Sequence, residues 1–169
     1  MPSHKSTGLL DQKLTVNLTP EEICHAMQTA LLRWFGSVKN GRKESVKQNS
    51  WIDGLLVHFY GVIGEIAVGK GLGIYVPCHV DQFKGMASDI PPNIEVRYSH
   101  GNELIIREDD PDDRHYYLVT GTPPDLTVHG WIKGSEGKNE WWLEDRGKLG
   151  KPAYFVPIDA LNQIESETA

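Results

Sequence analysis

One stretch constrains the fold more than any other. From Ser50 to about Lys70, the residues Ile52, Leu55, Leu56, Phe59, Ile63, Ile66 and Ala67 recur around most of a helix, and a carboxylate, Glu65, sits among the later ones. A helix that is apolar on nearly all sides has to be buried. Gly61 and Gly64 interrupt it, each at a cost of roughly 1 kcal/mol of helix propensity. Close approach of the helix to a sheet accounts for such glycines, and it would bring Glu65 within reach of groups on the strands. Ser50 is the expected N-cap, with Gly71 and Gly73 ending the helix. His58, the glycines and Glu65 break the apolar run, so no membrane span is expected.

The rest of the chain orders itself around that helix. Thr19, Pro20, Glu21 and Glu22 form a helix start with a capping box. Ile23, Met27, Ala30, Leu31 and Trp34 follow at helical spacing, and Gly36 is the expected stop. Residues 36–49 read as a polar, basic loop. Ile94 to Tyr98 alternates strictly, with Ile94, Val96 and Tyr98 on one face and Glu95 and Arg97 on the other. Ser99 to Asn102 reads as a hairpin connection to a partner strand, Leu104 to Ile106. Further strands are expected at Tyr116 to Thr120, Leu126 to Ile132 and Tyr154 to Val156, with a turn at Thr122-Pro123-Pro124 and a final helical turn or short helix from Asp159 to Ile164. Helix, helix, strands and short helix predict an α+β domain with helices packed on a mixed sheet. Residues 1–17 are expected as a loose tail that ends in a short strand, residues 18–165 as one domain, and residues 166–169 as a second tail.

A formal net charge of −6 argues against a protein that coats nucleic acid by bulk electrostatics. The charge is uneven. Arg33, Lys39, Arg42, Lys43 and Lys47 face only Glu44, and six acids crowd the segment from Glu103 to Asp113. Both runs read as solvated surface, although Arg42, Lys43 and Lys47 could dock a phosphate backbone. Cys24 and Cys78 lack a CxxC partner, which suits buried thiols of a reduced protein. The N-terminal MPSHKSTGLLDQK has no apolar run of a signal peptide, so a cytoplasmic location is expected.

The chemistry-bearing residues are Glu65, Asp89, Glu95 and Arg97. Asp89, a five-residue gap and then Glu-x-Arg on a β-type run can set hard oxygen ligands and a cation along one sheet edge. Mg²⁺ is commonly held by one or two carboxylates, with waters and a substrate phosphate completing its octahedron. Asp89 and Glu95 would hold the metal directly, Glu65 would bind it or a water on it from the helix side, and the Val96 carbonyl is a further oxygen donor. Oxygen-only ligation favours Mg²⁺ or Mn²⁺ over zinc. Gly69 to Gly73 is only superficially a phosphate loop, because it ends a helix, where the macrodipole repels anions. Of the aromatic pairs Tyr116-Tyr117 and Trp141-Trp142, extended backbone would turn one ring of each inward and one outward.

In GVIGEIAVGK, Asp89, Glu95-Val96-Arg97 and Gly130-Trp131-Ile132, the chain resembles the PD-(D/E)XK nuclease superfamily, and within it the small phage or prophage nuclease-like proteins. The resemblance covers about residues 50–133 and extends more weakly through Tyr154 to Pro157. It implies a restriction-endonuclease-like fold and Mg²⁺- or Mn²⁺-dependent hydrolysis of DNA phosphodiesters, in phage or mobile-element DNA metabolism in a bacterial cell. It also assigns the catalytic and metal roles to Glu65, Asp89, Glu95 and Arg97. Arg97 stands where the family usually has lysine, and arginine positions and stabilises without giving up its proton. Two rival readings remain open: a catalytically silent nucleic-acid-binding or protein-interaction module, and a structural network of buried salt bridges. A homo-oligomer is also left open.

Overall fold

The computed structural model describes residues 13–41, 50–80, 87–146 and 151–164. Arg42, Lys43 and Lys47, the expected phosphate-docking strip, lie outside the described residues, as do 1–12 and 166–169 of the expected tails. The last part of the N-terminal segment is a strand, β1 (Leu14–Asn17). Helices α1 (Pro20–Lys39) and α2 (Trp51–Leu72) follow. Then come β2 (Ile94–Tyr98), β3 (Glu103–Arg107), β4 (His115–Thr122) and β5 (Asp125–Lys133). A single helical turn, α3 (Gly134–Gly137), leads to β6 (Leu143–Glu144) and β7 (Ala153–Pro157).

Both long helices start where their caps dictate. The Thr19 hydroxyl accepts the Glu22 N–H at 3.2 Å while the Glu22 carboxylate accepts the Thr19 N–H at 2.7 Å. Ser50 and Asp53 repeat the arrangement on α2, a capping box that sequence reading reduced to its serine. Gly73 ends α2 at φ 67°, where a side chain would be strained. α1 runs three residues beyond Gly36, the expected stop, to Lys39. Of the expected helical turn or short helix at 159–164, the structure has a 3-10 turn, Ile158–Ala160, followed by Asn162 pairing its backbone with Trp131.

The fold belongs to the α+β class. The larger sheet has the order β1-β5-β4-β2, antiparallel except for the parallel β4/β2 pair. α1 and α2 pack on one face of it, where Ala30, Val62, Ile63, Ala67, Val96, Val119 and Val128 form the main core. A second sheet, β3-β7-β6, covers the other face, with Leu104, Ile106, Tyr116, Leu118, Ile132 and Val156 between the layers. Each such side chain, fully buried, contributes roughly 1.5–3 kcal/mol. β4 is therefore buried on both sides, and both Tyr116 and Tyr117 lie inside, in different cores. Of the tryptophan pair, Trp141 is the exposed one.

The expected β2–β3 hairpin does not form. β2 pairs in parallel with β4 (Val96 opposite Tyr117), and β3 crosses to the second layer to pair with β7 (Leu104 opposite Val156). The crossing lets Leu104 and Ile106 cover Tyr116 and Leu118, and it leaves β2 as an edge strand. α1 also turns a different face inward. Ala26, Thr29, Ala30 and Ser37 are buried, whereas Met27 and Leu31 of the expected stripe are each 38% exposed. Small residues let α1 lie close against α2. Cys78 is buried as expected, but Cys24 is exposed.

α2 has the length and hydropathy of a membrane span, and in this fold more than half of its most apolar window is buried. A Cβ at Gly64 would sit 3.1 Å from Val96 Cγ1, so the helix does approach the sheet closely there; at Gly61 a Cβ would meet nothing within 4 Å. The two glycines should therefore respond oppositely to substitution. In urea unfolding, Gly61→Ala should raise stability by up to about 1 kcal/mol, and Gly64→Val should lower it by about 1–3 kcal/mol through overpacking. Equal responses would contradict this helix–sheet contact.

Candidate active site at the edge of the mixed sheet

Among the described residues β2 has no partner strand on one edge of the sheet, and Asp89 closes part of it. A backbone bridge between Ile90 and Ile94 folds the preceding segment back along β2. The Asp89 carboxylate then accepts the Val96 N–H at 2.8 Å. An exposed strand edge is a row of unsatisfied donors and acceptors, so here a carboxylate takes the place of a neighbouring strand. Glu95 and Arg97 project from the face of β2 opposite to the helices, because Ile94 and Val96 pack into the helix-side core.

Glu65, Glu95 and Asp110 are each answered by an arginine. Glu65, 3% exposed on α2, binds Arg33 of α1 through two parallel hydrogen bonds of 2.6 and 3.0 Å. Arg33 also donates from Nε to the His79 carbonyl at 2.6 Å, so its guanidinium is fixed from both sides. Glu95 accepts a hydrogen bond from Arg114 through one carboxylate oxygen and lies 3.5 Å from Arg97 through the other. Arg97 reaches on to Asp110 at 3.0 Å and lies over the Tyr116 ring, 5.1 Å from its centroid. Asp110 in turn accepts the Arg107 backbone N–H at 2.8 Å. Asp110 is buried, although the acidic run around it read as solvated surface.

The structure thus gathers Glu65, Asp89, Glu95 and Arg97 in one region, with Asp89 acting electrostatically on both glutamates. Sequence reasoning missed Arg33, Arg114 and Asp110. A signal for Arg33 exists in Ala26, Ala30, Arg33 and Ser37, which share the small-residue face of α1. Arg114 carries a weaker one, standing just ahead of the doubly buried strand His115 to Val119. Nothing local marks Asp110 apart from its acidic neighbours.

Burial is the main reason that the Glu65 carboxyl is pushed up to about 7, with Arg33 opposing the rise and the charges of Asp89 and Glu95 adding to it. Glu95 is likewise raised to about 7, first by burial and then by Asp89, against the pull of Arg97 and Arg114. Arg97 stays charged: burial works against the guanidinium, and the surrounding carboxylates more than compensate. Among the described residues four carboxylates face three guanidiniums across this cluster, so it carries surplus negative charge once the two raised glutamates ionise, above about pH 7.

Among the described residues, no three Asp, Glu, His or Cys side chains are grouped so as to cage a metal ion. Mg²⁺ does not require such a cage; one or two carboxylates with waters and a substrate phosphate are its usual complement. Asp89, Glu95 and the Val96 carbonyl are all hard oxygen donors along the same edge, and the surplus negative charge favours a cation there. The donor set fits Mg²⁺ or Mn²⁺ on that ground.

Glu65 and Glu95 hold protons more tightly in the folded chain than at the ordinary value of 4.5. Between about 4.5 and 7 the folded state therefore binds more protons than the unfolded one, and stability from these groups falls as pH rises through that window. Thermal melts from pH 5 to 8 should show a steeper decline in Tm for the native chain than for Glu65→Gln. A decline that is the same in both, or steeper in the variant, would contradict the raised carboxyl.

The chain matches no family model, no curated protein and no solved structure.

Proposed function

We propose that this edge cluster hydrolyses DNA phosphodiester bonds with Mg²⁺ or Mn²⁺, in phage or mobile-element DNA metabolism. The observation that supports it best is the placing of Asp89 and Glu95 on the edge strand β2, in a cluster with more carboxylates than guanidiniums among the described residues and with half-buried Arg97 beside them. Asp89, Glu95 and the Val96 carbonyl would hold the ion, which supplies Lewis acidity toward water and the phosphate.

The protein groups divide the remaining work. The Val96 N–H orients Asp89, and Arg114 orients Glu95. Arg97, fixed by Asp110 and the Tyr116 ring, keeps its proton and stabilises negative charge growing on the phosphate. Glu65, raised toward neutrality, is suited to take a proton from water near pH 7 while Arg33 holds its orientation.

One observation favours a second reading. Every carboxylate of the cluster already has an arginine or amide partner, as it would in a binding module without turnover. Labelled DNA incubated with Mn²⁺ or with EDTA separates the two. The nuclease reading expects cleavage only with the metal, loss of at least about 10²-fold in Asp89→Asn, and retained cleavage in Arg97→Lys. DNA binding without cleavage in the native chain and in Arg97→Lys alike would establish the silent module instead.

A further inference from the structure

The same edge opens into a groove of about 520 Å³ in which Val96 and Arg97 share the wall with Tyr60, Tyr98, His100 and Arg107. Tyr60 from α2 and Tyr98 from the end of β2 stack with centroids 4.6 Å apart and planes 17° apart. His100 stands edge-on to both rings, at 4.9 and 5.2 Å. The Tyr98 hydroxyl donates to the Gly121 carbonyl, which fixes that ring. The imidazole of His100 is exposed. Three basic side chains, Arg97, Arg107 and His100, line the groove against one carboxylate, Asp53, which is engaged in capping α2. Asp110 holds the Arg97 guanidinium, whereas that of Arg107 forms no ion pair among the described residues.

Rings and cations mixed along a channel of this kind suit one chemistry: unpaired bases stack on the rings while guanidiniums hold the phosphates between them. In a duplex the bases are stacked on one another and their faces are closed to such a surface. We propose that this groove binds single-stranded DNA, with a base stacked against His100 and the Tyr60–Tyr98 pair and a phosphate on Arg107, and leads the strand to Arg97 and the acidic cluster. This rests on the nuclease reading for what happens next, but not for binding itself. It deepens that reading by naming an unpaired strand as substrate.

The test uses the full chain in EDTA, so that nothing is cut, with fluorescence anisotropy of a labelled oligo(dT) strand and of a blunt duplex of equal length. The strand should bind at least fivefold more tightly than the duplex. His100→Ala should weaken strand binding by about 5-fold to 100-fold, in line with the loss of one stacked base. Arg107→Glu should weaken it and reduce the salt dependence by about one phosphate contact. Both positions are off the main core, and Tm reports folding of each variant. Tyr60→Leu, at a half-buried ring, should also weaken strand binding, and Tyr60→Phe should keep it. Equal or tighter binding of the duplex, or native affinity in both His100→Ala and Arg107→Glu, would overturn the proposal. Binding that depends on these residues in a protein that cleaves nothing keeps the groove and removes the nuclease reading. Cleavage by a chain indifferent to both variants does the reverse.

Discussion

Burying Glu65 in the middle of an apolar helix sets the terms for much of the molecule. A carboxylate lifted out of water needs a partner of comparable quality, because an unpaired buried charge costs several kcal/mol. α1 supplies it in Arg33, whose planar fork matches both carboxylate oxygens. To bring Arg33 so close, α1 must present small residues to α2, as Ala26, Ala30 and Ser37 do. α2 must approach the sheet closely as well, and Gly64 against Val96 allows that. One acidic side chain thus connects the packing of three elements.

The second constraint is the open edge of β2. Closing it with a further strand would satisfy the backbone but bury the site. Asp89 satisfies the Val96 N–H instead, and in doing so holds a negative charge beside Glu95 and Glu65. Burial first, and then the Asp89 charge, keep both glutamates raised against the pull of Arg33 on Glu65 and of Arg97 and Arg114 on Glu95. Such a balance suits a site that receives cationic and anionic partners in turn. On the proposed nuclease reading, arginine rather than lysine beside the phosphate shifts the demands on the rest of the site. Arg97 contributes charge and position only, so proton transfer falls to a carboxyl or to water.

What the sequence disclosed, and what it hid, follows the range of the interactions. Caps, the length of α2 and the alternation from Ile94 to Tyr98 are local, and all three were legible. So was the close approach at Gly64. The parallel pairing of β2 with β4 was not, because Ser99 to Asn102 has the composition of a hairpin and only burial of Leu104 and Ile106 against Tyr116 and Leu118 decides otherwise. Arg33, Arg114 and Asp110 come from segments far apart in the chain. Their charges looked like surface charges until the fold brought them together. The large apolar residues of α1 misled for a related reason: the contact with α2 selects for small side chains, and hydrophobicity alone does not report it.

On the proposed reading, Asp89 and Glu95 hold a cation at the sheet edge. Titration of Mn²⁺ followed by electron paramagnetic resonance of the free ion measures this directly. The native chain should bind Mn²⁺ saturably at pH 8 and more weakly at pH 6, as protons compete for the raised carboxyls, and Asp89→Asn should lose the binding. No saturable binding at pH 8, or equal binding in Asp89→Asn, would contradict it.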